Sequence, residues 1–125
     1  MFLLDSHVLL WWLSDDERLG DRARSMIAAP QEVIAVSAVS IFEIETKRRL
    51  GKLRAPDGLV GVVSEESFEL LALHGRPAAI AGSLDWDHRD PFDRLLVATS
   101  RASSAPLLTA DRNILDFEPT AIPAA

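Results

Sequence analysis

The chain opens with the stretch Phe2-Leu3-Leu4-Asp5-Ser6-His7-Val8-Leu9-Leu10-Trp11-Trp12-Leu13, which decides its fold. The short apolar run Phe2–Leu4 predicts a buried strand, and Ser6 is a suitable cap for a helix that continues through Leu13. Short apolar runs alternate with longer helical patterns along the rest of the chain. This alternation predicts an α/β sandwich with a mainly parallel central sheet.

The other predicted elements follow the same alternation. Strands are predicted at Val33–Val36, Phe68–Leu73, Leu107–Thr109 and Thr120–Ile122. Helices are predicted at Arg18–Ala29, Ser40–Leu50, Leu59–Val63, Pro77–Leu84 and Asp90–Ser103, with a single helical turn at Ile114–Leu115. No internal repeat interrupts this order, so we predict one domain over residues 1–125.

Composition excludes several classes of protein and site. There is no cysteine, so disulfides and cysteine-based zinc sites are excluded. The net charge of −6 is a poor match for a protein that binds nucleic acid through bulk charge. The start has no basic segment of the kind found in signal peptides, and the longest apolar run, Val8–Leu13, is far below the roughly 20 residues that span a bilayer. We therefore expect no membrane insertion and a cytoplasmic location.

Four acidic residues stand where predicted strands end or the next helix begins: Asp5, Glu43, Asp93 and Asp111. Sites in parallel sheets form at the carboxyl ends of the strands, so these carboxylates are expected to meet at one edge. Carboxylates brought together repel one another unless a positive charge lies between them. A divalent metal ion would supply that charge, and a metal held by carboxylates is typical of phosphoryl chemistry.

Each acid also has a purely structural explanation as a helix cap. The segment Ser40-Ile41-Phe42-Glu43 fits a capping box, in which Glu43 bonds back to the Ser40 amide. Asp90 precedes Pro91 and is well placed to cap the helix that contains Asp93. Asp5 and Asp111 are suitable caps as well. Caps need not converge on one point, whereas metal ligands must, so the spatial arrangement decides between the two explanations.

Four segments carry a family resemblance. The opening stretch, Ser37–Leu53 with Glu43, His88–Thr99 with Asp93, and Leu108–Asp111 resemble, in order, the four motifs of PIN-domain ribonucleases of the VapC toxin type. The resemblance implies a PIN-like three-layer sandwich with helices on both faces of the sheet. It also implies an endoribonuclease that depends on Mg²⁺ or Mn²⁺ and acts as the toxin of a toxin–antitoxin pair.

The resemblance further assigns roles to individual residues. Asp5, Glu43 and Asp93 correspond to the core acids, and Asp111 completes the site. Asp93 is preferred to Asp90 as the ligand because Asp90 is the better helix cap. Hydroxyls of two residues are expected to support the carboxylates, and basic side chains are expected to contact RNA. The supporting residues are Ser6 and Thr109, and the RNA-binding candidates are Lys47, Arg48, Lys52, Arg89 and Arg94.

Partners are also implied by the resemblance. VapC toxins form homodimers and are covered by a VapB antitoxin whose C-terminal segment lies in an apolar groove, so a heteromeric complex is expected. The helix Val8–Leu13 is apolar on all sides, and Trp11 or Trp12 is expected to line that groove.

Competing functions are less consistent with the sequence. A phosphatase of the haloacid-dehalogenase type carries a second acid two residues after its strand-end aspartate, and that position is His7 here. A response-regulator receiver needs an acidic pair near its start and a lysine late in the chain, and neither is apparent. A non-catalytic or housekeeping PIN-domain protein that binds or processes RNA remains an alternative, although this chain keeps all four acids.

Overall fold

Five parallel strands form a single sheet in this computed structural model, which describes residues 1–125. The strands are β1 (Phe2–Leu4), β2 (Ile34–Ser37), β3 (Glu69–Leu71), β4 (Leu107–Thr109) and β5 (Ile122–Pro123). Their order across the sheet is β3-β2-β1-β4-β5, and every neighbouring pair is parallel. The predicted α/β class is confirmed, with a sheet that is wholly rather than mainly parallel.

Seven helices connect and cover the strands. They are α1 (Ser6–Leu13), α2 (Asp21–Ala28), α3 (Ala38–Arg49), α4 (Leu59–Glu65), α5 (Gly75–Ser83), α6 (Pro91–Ser103) and α7 (Arg112–Phe117). No helix combines the length and the apolar character that crossing a membrane requires.

Two hydrophobic cores lie on opposite faces of the sheet because successive strand residues point in opposite directions. Leu4 and Leu108 face one core, where they pack with α1, α2 and α4. Leu3 and Leu107 face the other core, where they pack with α6 and α7. The strands therefore carry apolar side chains on both faces, as a covered parallel sheet requires. The predicted three-layer arrangement is confirmed.

Three predicted helix starts are wrong by two or three residues. Helix α5 begins at Gly75 rather than Pro77, and local hydrogen bonds explain the other two. Helix α2 begins at Asp21 rather than Arg18, because the Gly20 amide donates to the Ala124 carbonyl at 2.8 Å and stays extended. Helix α3 begins at Ala38, with the Ser37 hydroxyl accepting from the Val39 amide at 3.0 Å. The hydroxyl nearest the strand thus caps the helix.

The proposed capping box of Ser40 and Glu43 is therefore wrong. Ser40 lies inside α3, where its buried Oγ has no hydrogen-bond partner. The Glu43 carboxylate is not used at the helix start and is free to point elsewhere. The single turn predicted at Ile114–Leu115 is in fact the two-turn helix α7, and the edge strand β5 lies slightly later than predicted.

The topology produces a crevice at the carboxyl ends of β1 and β4. These strands are neighbours, and the helices that follow them, α1 and α7, pack into different cores on opposite faces. Adjacent strands whose connections leave toward opposite faces create a switch point, where α/β sheets bind ligands. Asp5 directly follows β1, and Asp111 lies two residues after the end of β4.

Candidate metal centre

Asp5 is held at the switch point by the neighbouring strand. Its Oδ1 accepts from the Ser6 amide and its Oδ2 accepts from the Thr109 hydroxyl, each at 2.6 Å. The side chain is buried. Burial raises the pKa of Asp5, the bonds from Thr109 and Ser6 oppose that rise, and the charge of Glu43 adds to it.

Glu43 approaches the same crevice from α3. Its Oε1 accepts from the Ser6 hydroxyl and its Oε2 accepts from Lys47 Nζ, each at 2.6 Å. The hydrogen bond to Glu43 raises the pKa of Lys47, and the charges of Asp90 and Asp93 act in the same direction. Ser6 therefore links the two acids, since its amide bonds Asp5 and its hydroxyl bonds Glu43.

The start of α6 brings two further acids. Asp90 caps the helix, with Oδ1 accepting from the amides of Phe92 at 2.9 Å and Asp93 at 3.3 Å. Asp93 is buried, and its Oδ2 lies 2.6 Å from His88 Nε2. One ligand-type atom from each of His88, Asp90 and Asp93 lies within 4.8 Å of the others.

The pKa of Asp93 depends on the other acids of the site. Burial is the largest cause that raises its pKa to about 7, and the charges of Asp90, Asp111 and Asp5 raise it further against the hydrogen bond from His88. These carboxylates therefore lie close enough to disfavour one another's ionisation. Such a convergence is not required of independent helix caps.

Asp111 is the most exposed of the predicted ligands. Its Oδ1 accepts from the Asn113 amide at 2.8 Å, so it caps α7, and its own amide donates to Thr109 Oγ1 at 3.0 Å. The helix-cap explanation therefore accounts for one oxygen of Asp111, Oδ1. Thr109 contacts both Asp5 and Asp111, which ties the two strand-end acids together.

The donor set fits a hard divalent cation. Mg²⁺ and Mn²⁺ prefer oxygen ligands, and Mg²⁺ in proteins is bound by a few carboxylates while it keeps several waters. Here Asp5, Glu43 and Asp93 are nearly inaccessible to solvent, at 5–6% exposed. Only two side chains that can carry a positive charge bond to these acids: Lys47 bonds to Glu43, and His88 bonds to Asp93. A divalent ion would relieve the remaining repulsion.

The predicted RNA-binding residues fall into two groups. Lys52 and Arg89 are exposed, whereas Lys47 is bonded to Glu43 and Arg48 donates to the Pro56 carbonyl at 3.1 Å and pairs with Asp57. Arg94 donates to the backbone carbonyls of four residues, which favours a structural role over RNA contact. Those residues are Ala81, Leu84, Trp86 and His88.

His88 is the residue at this site to which sequence reasoning gave too little weight. In the sequence, the signal for His88 was its position two residues before the cap Asp90. A histidine in a loop, however, belongs to no periodic pattern that predicts where its side chain points. Another histidine, His7, is exposed on α1. It lies 6.3 Å from the Trp11 ring.

A cleft of about 700 Å³ lies apart from the carboxylates, between α1 and the segment that follows α3. Its wall includes His7, Trp11 and Leu53, and the basic residues Lys52 and Arg54. Trp12 does not line it, because its Nε1 donates to Glu66 at 3.1 Å and its ring lies beside Phe68. Of the two tryptophans considered for an apolar groove, Trp11 is the one at this cleft.

The pKa of Asp93 predicts how stability depends on pH. In the unfolded chain this carboxyl loses its proton near pH 3.8, whereas in the folded protein it keeps it to about pH 7. Between these values the folded state holds the extra proton, so the free energy of unfolding falls as pH rises. Without metal, we expect a loss of about 1–2 kcal/mol between pH 4.5 and 7.5. This is less than the full shift implies, because the window covers only part of the interval and the small exposed part of the carboxyl is still screened by water.

Urea unfolding in the presence of EDTA would measure this slope, with Asp93→Asn as the control. The asparagine variant should show a shallower dependence and should be the more stable protein at pH 7.5. If wild type and variant had the same slope, the protonation assigned to Asp93 would be wrong.

The chain is similar to known proteins over nearly its whole length. The PIN-domain family model matches residues 2–118. The chain is 30% identical to ribonuclease VapC22 of Mycobacterium tuberculosis over 115 residues, which are 90% of this chain and 88% of that protein.

Solved structures agree in fold. One match is a toxin–antitoxin complex from Klebsiella pneumoniae, with a TM-score of 0.70 and 14% identity over 100% of this chain and 98% of that one. Another is VapBC2 from Rickettsia felis bound to a promoter DNA fragment, with a TM-score of 0.68 and 15% identity over 97% and 95% of the two chains. These likenesses concern the fold, and the family follows from the sequence matches: the chain belongs to the PIN-domain family.

Proposed function

We propose that this protein is a metal-dependent endoribonuclease that acts as the toxin of a VapBC-type toxin–antitoxin pair. The observation that carries the proposal is the set of three buried carboxylates, Asp5, Glu43 and Asp93. Ser6 links Asp5 to Glu43, and Thr109 links Asp5 to Asp111, at the switch point of the sheet. The 30% identity to a protein named as a ribonuclease supports RNA as the substrate class.

Asp5, Glu43, Asp93 and Asp111 would hold Mg²⁺ or Mn²⁺. When bound, the ion supplies an activated water and neutralises charge that develops on the scissile phosphate. The chain's own part is to fix the carboxylates before substrate arrives. Thr109 and Ser6 do so by donating to Asp5 and Glu43, so the side chains need little rearrangement on binding.

RNA must approach against the net negative charge, which requires local attraction. Lys52 and Arg89 offer exposed charge for phosphates. Phe42 is 63% exposed beside Glu43, and its ring lies 5.9 Å from that of Phe92, the neighbour of Asp93. Phe92 is half-buried, so the exposed Phe42 ring is the one that suits an unpaired base, which stacks on aromatic rings in single-stranded RNA recognition.

The cleft beside Trp11 is proposed to receive the antitoxin. It is partly apolar and carries Lys52 and Arg54, so it suits an amphipathic segment with acidic residues. A homodimer, a heteromeric toxin–antitoxin complex and a cytoplasmic location are part of the same proposal.

Replacing Trp11 by alanine should weaken the complex with the protein encoded by the gene immediately upstream, measured by calorimetry. Unchanged affinity would remove this cleft from the interface.

The nuclease function is tested with purified protein and a set of single-stranded RNA oligonucleotides of varied sequence. Cleavage is expected with Mg²⁺ or Mn²⁺, and none is expected with EDTA. DNA oligonucleotides of the same sequences are the control for substrate class. If none of the RNAs were cleaved at millimolar metal, or if cleavage persisted in EDTA, the proposal would be overturned.

A further inference from the structure

We infer that His88 is a positioning residue of the metal site, which holds one oxygen of Asp93 so that the other is presented to the ion. The inference rests on the proposed metal-dependent function. It assigns to His88 a role beyond that of the four acids.

The two oxygens of Asp93 have different surroundings. Oδ2 is 2.6 Å from His88 Nε2, whereas no hydrogen bond from the protein reaches Oδ1. Ser40 Oγ is the one buried side-chain polar atom without a partner, so Oδ1 of Asp93 is not sealed in the core. One oxygen is thus fixed by the imidazole while the other remains open to a ligand.

The hydrogen bond has a defined direction when Asp93 is charged. An ionised carboxylate only accepts, so Nε2 must carry the hydrogen and donate it. Such a bond fixes the rotation of the carboxylate about its terminal torsion, which is otherwise a broad and soft angle. Hydrogen bonds to ligating side chains commonly change metal affinity by about 10–100-fold.

The loop between α5 and α6 is built in a way that places His88. The Trp86 ring stacks on Phe117 with 4.3 Å between centroids and 6° between planes, and the His88 ring lies 4.8 Å from Trp86. Arg94 binds the Trp86 carbonyl at 2.7 Å and the His88 carbonyl at 3.1 Å. The Trp86 ring therefore packs beside the imidazole, and Arg94 fixes the backbone that carries it.

Manganese binding followed by thermal unfolding tests the inference without relying on activity. Wild type, His88→Ala and His88→Gln are titrated with MnCl₂, and an apparent dissociation constant is taken from the rise in melting temperature. We expect His88→Ala to bind Mn²⁺ about 10–100-fold more weakly. Glutamine can also donate through an amide, so His88→Gln should recover most of that affinity.

The other outcomes are distinct. Equal affinity in wild type and His88→Ala would overturn the inference while leaving the metal site intact. Equal losses in the alanine and glutamine variants would also overturn it and make His88 a direct ligand, since imidazole rather than a donor would then be needed. A wild-type protein that Mn²⁺ does not stabilise would instead contradict the proposed metal-dependent function. Circular dichroism of the metal-free variants checks that each is folded.

Discussion

Replacing Asp93 by asparagine is expected to reduce metal-dependent RNA cleavage by at least about a thousandfold while the protein stays folded. The variant keeps the size of the side chain but removes a buried charge that would bind the ion. A loss of about 4 kcal/mol of transition-state stabilisation corresponds to that factor. Because burial and neighbouring acids make the charged form of Asp93 unfavourable, the metal-free variant should be no less stable than wild type.

Asp90→Asn is the matched control for this prediction. Asparagine caps helices about as well as aspartate, so the bonds to the Phe92 and Asp93 amides should persist. We expect a much smaller loss of cleavage than in Asp93→Asn, measured with the same RNA. If Asp90→Asn lost activity and Asp93→Asn kept it, the ligand role would belong to Asp90.

Replacing Arg94 by lysine is expected to lower the free energy of unfolding by about 3 kcal/mol, or roughly 10 °C in melting temperature for a domain of this size. The guanidinium donates to four carbonyls at 2.7–3.1 Å, from the end of α5 to His88. A lysine ammonium has three donors on a flexible stem and cannot reproduce that planar arrangement. Carbonyls left without a partner in the partly buried loop account for the cost.

Arg89→Lys is the control for Arg94→Lys, since Arg89 is exposed and belongs to the same loop. Its melting temperature should stay within about 2 °C of wild type, as is usual for surface substitutions. A similarly small change in Arg94→Lys would mean that the four carbonyls are satisfied in another way. The structural role given to Arg94 would then be lost.

The fold was predictable because its strands are short apolar runs separated by helices, and a parallel sheet needs little more. The capping box of Ser40 failed for a specific reason. Ser37 and Ser40 are both suitable caps, and sequence alone does not show where β2 ends. Pairing of Ser37 with Leu71 in β3 extends the strand to Ser37, which then caps α3.

The positions of the candidate site were predictable, and so was support of the carboxylates by the Ser6 and Thr109 hydroxyls, but not which acid each hydroxyl would bond. The order of the acids relative to strands and helices placed them at one edge. The bond from Thr109 to Asp5 depends on β1 and β4 being neighbours, although the residues are 104 apart in sequence. The direction of His88 depends on Arg94 and on ring stacking in a loop, and no residue pattern encodes either.

The pairing of β1 with β4 has a consequence for how the protein folds during its synthesis on the ribosome. Asp5 is synthesised 104 residues before its partner Thr109, and β1 long before the neighbouring strand β4. In a nascent chain that has not yet reached β4, one edge of the central strand β1 has no partner strand, and Asp5 lacks the hydrogen bond from Thr109. Native contacts this distant in sequence form late. If the protein cleaves RNA as proposed, it would become competent only after β4 has been synthesised and has paired with β1.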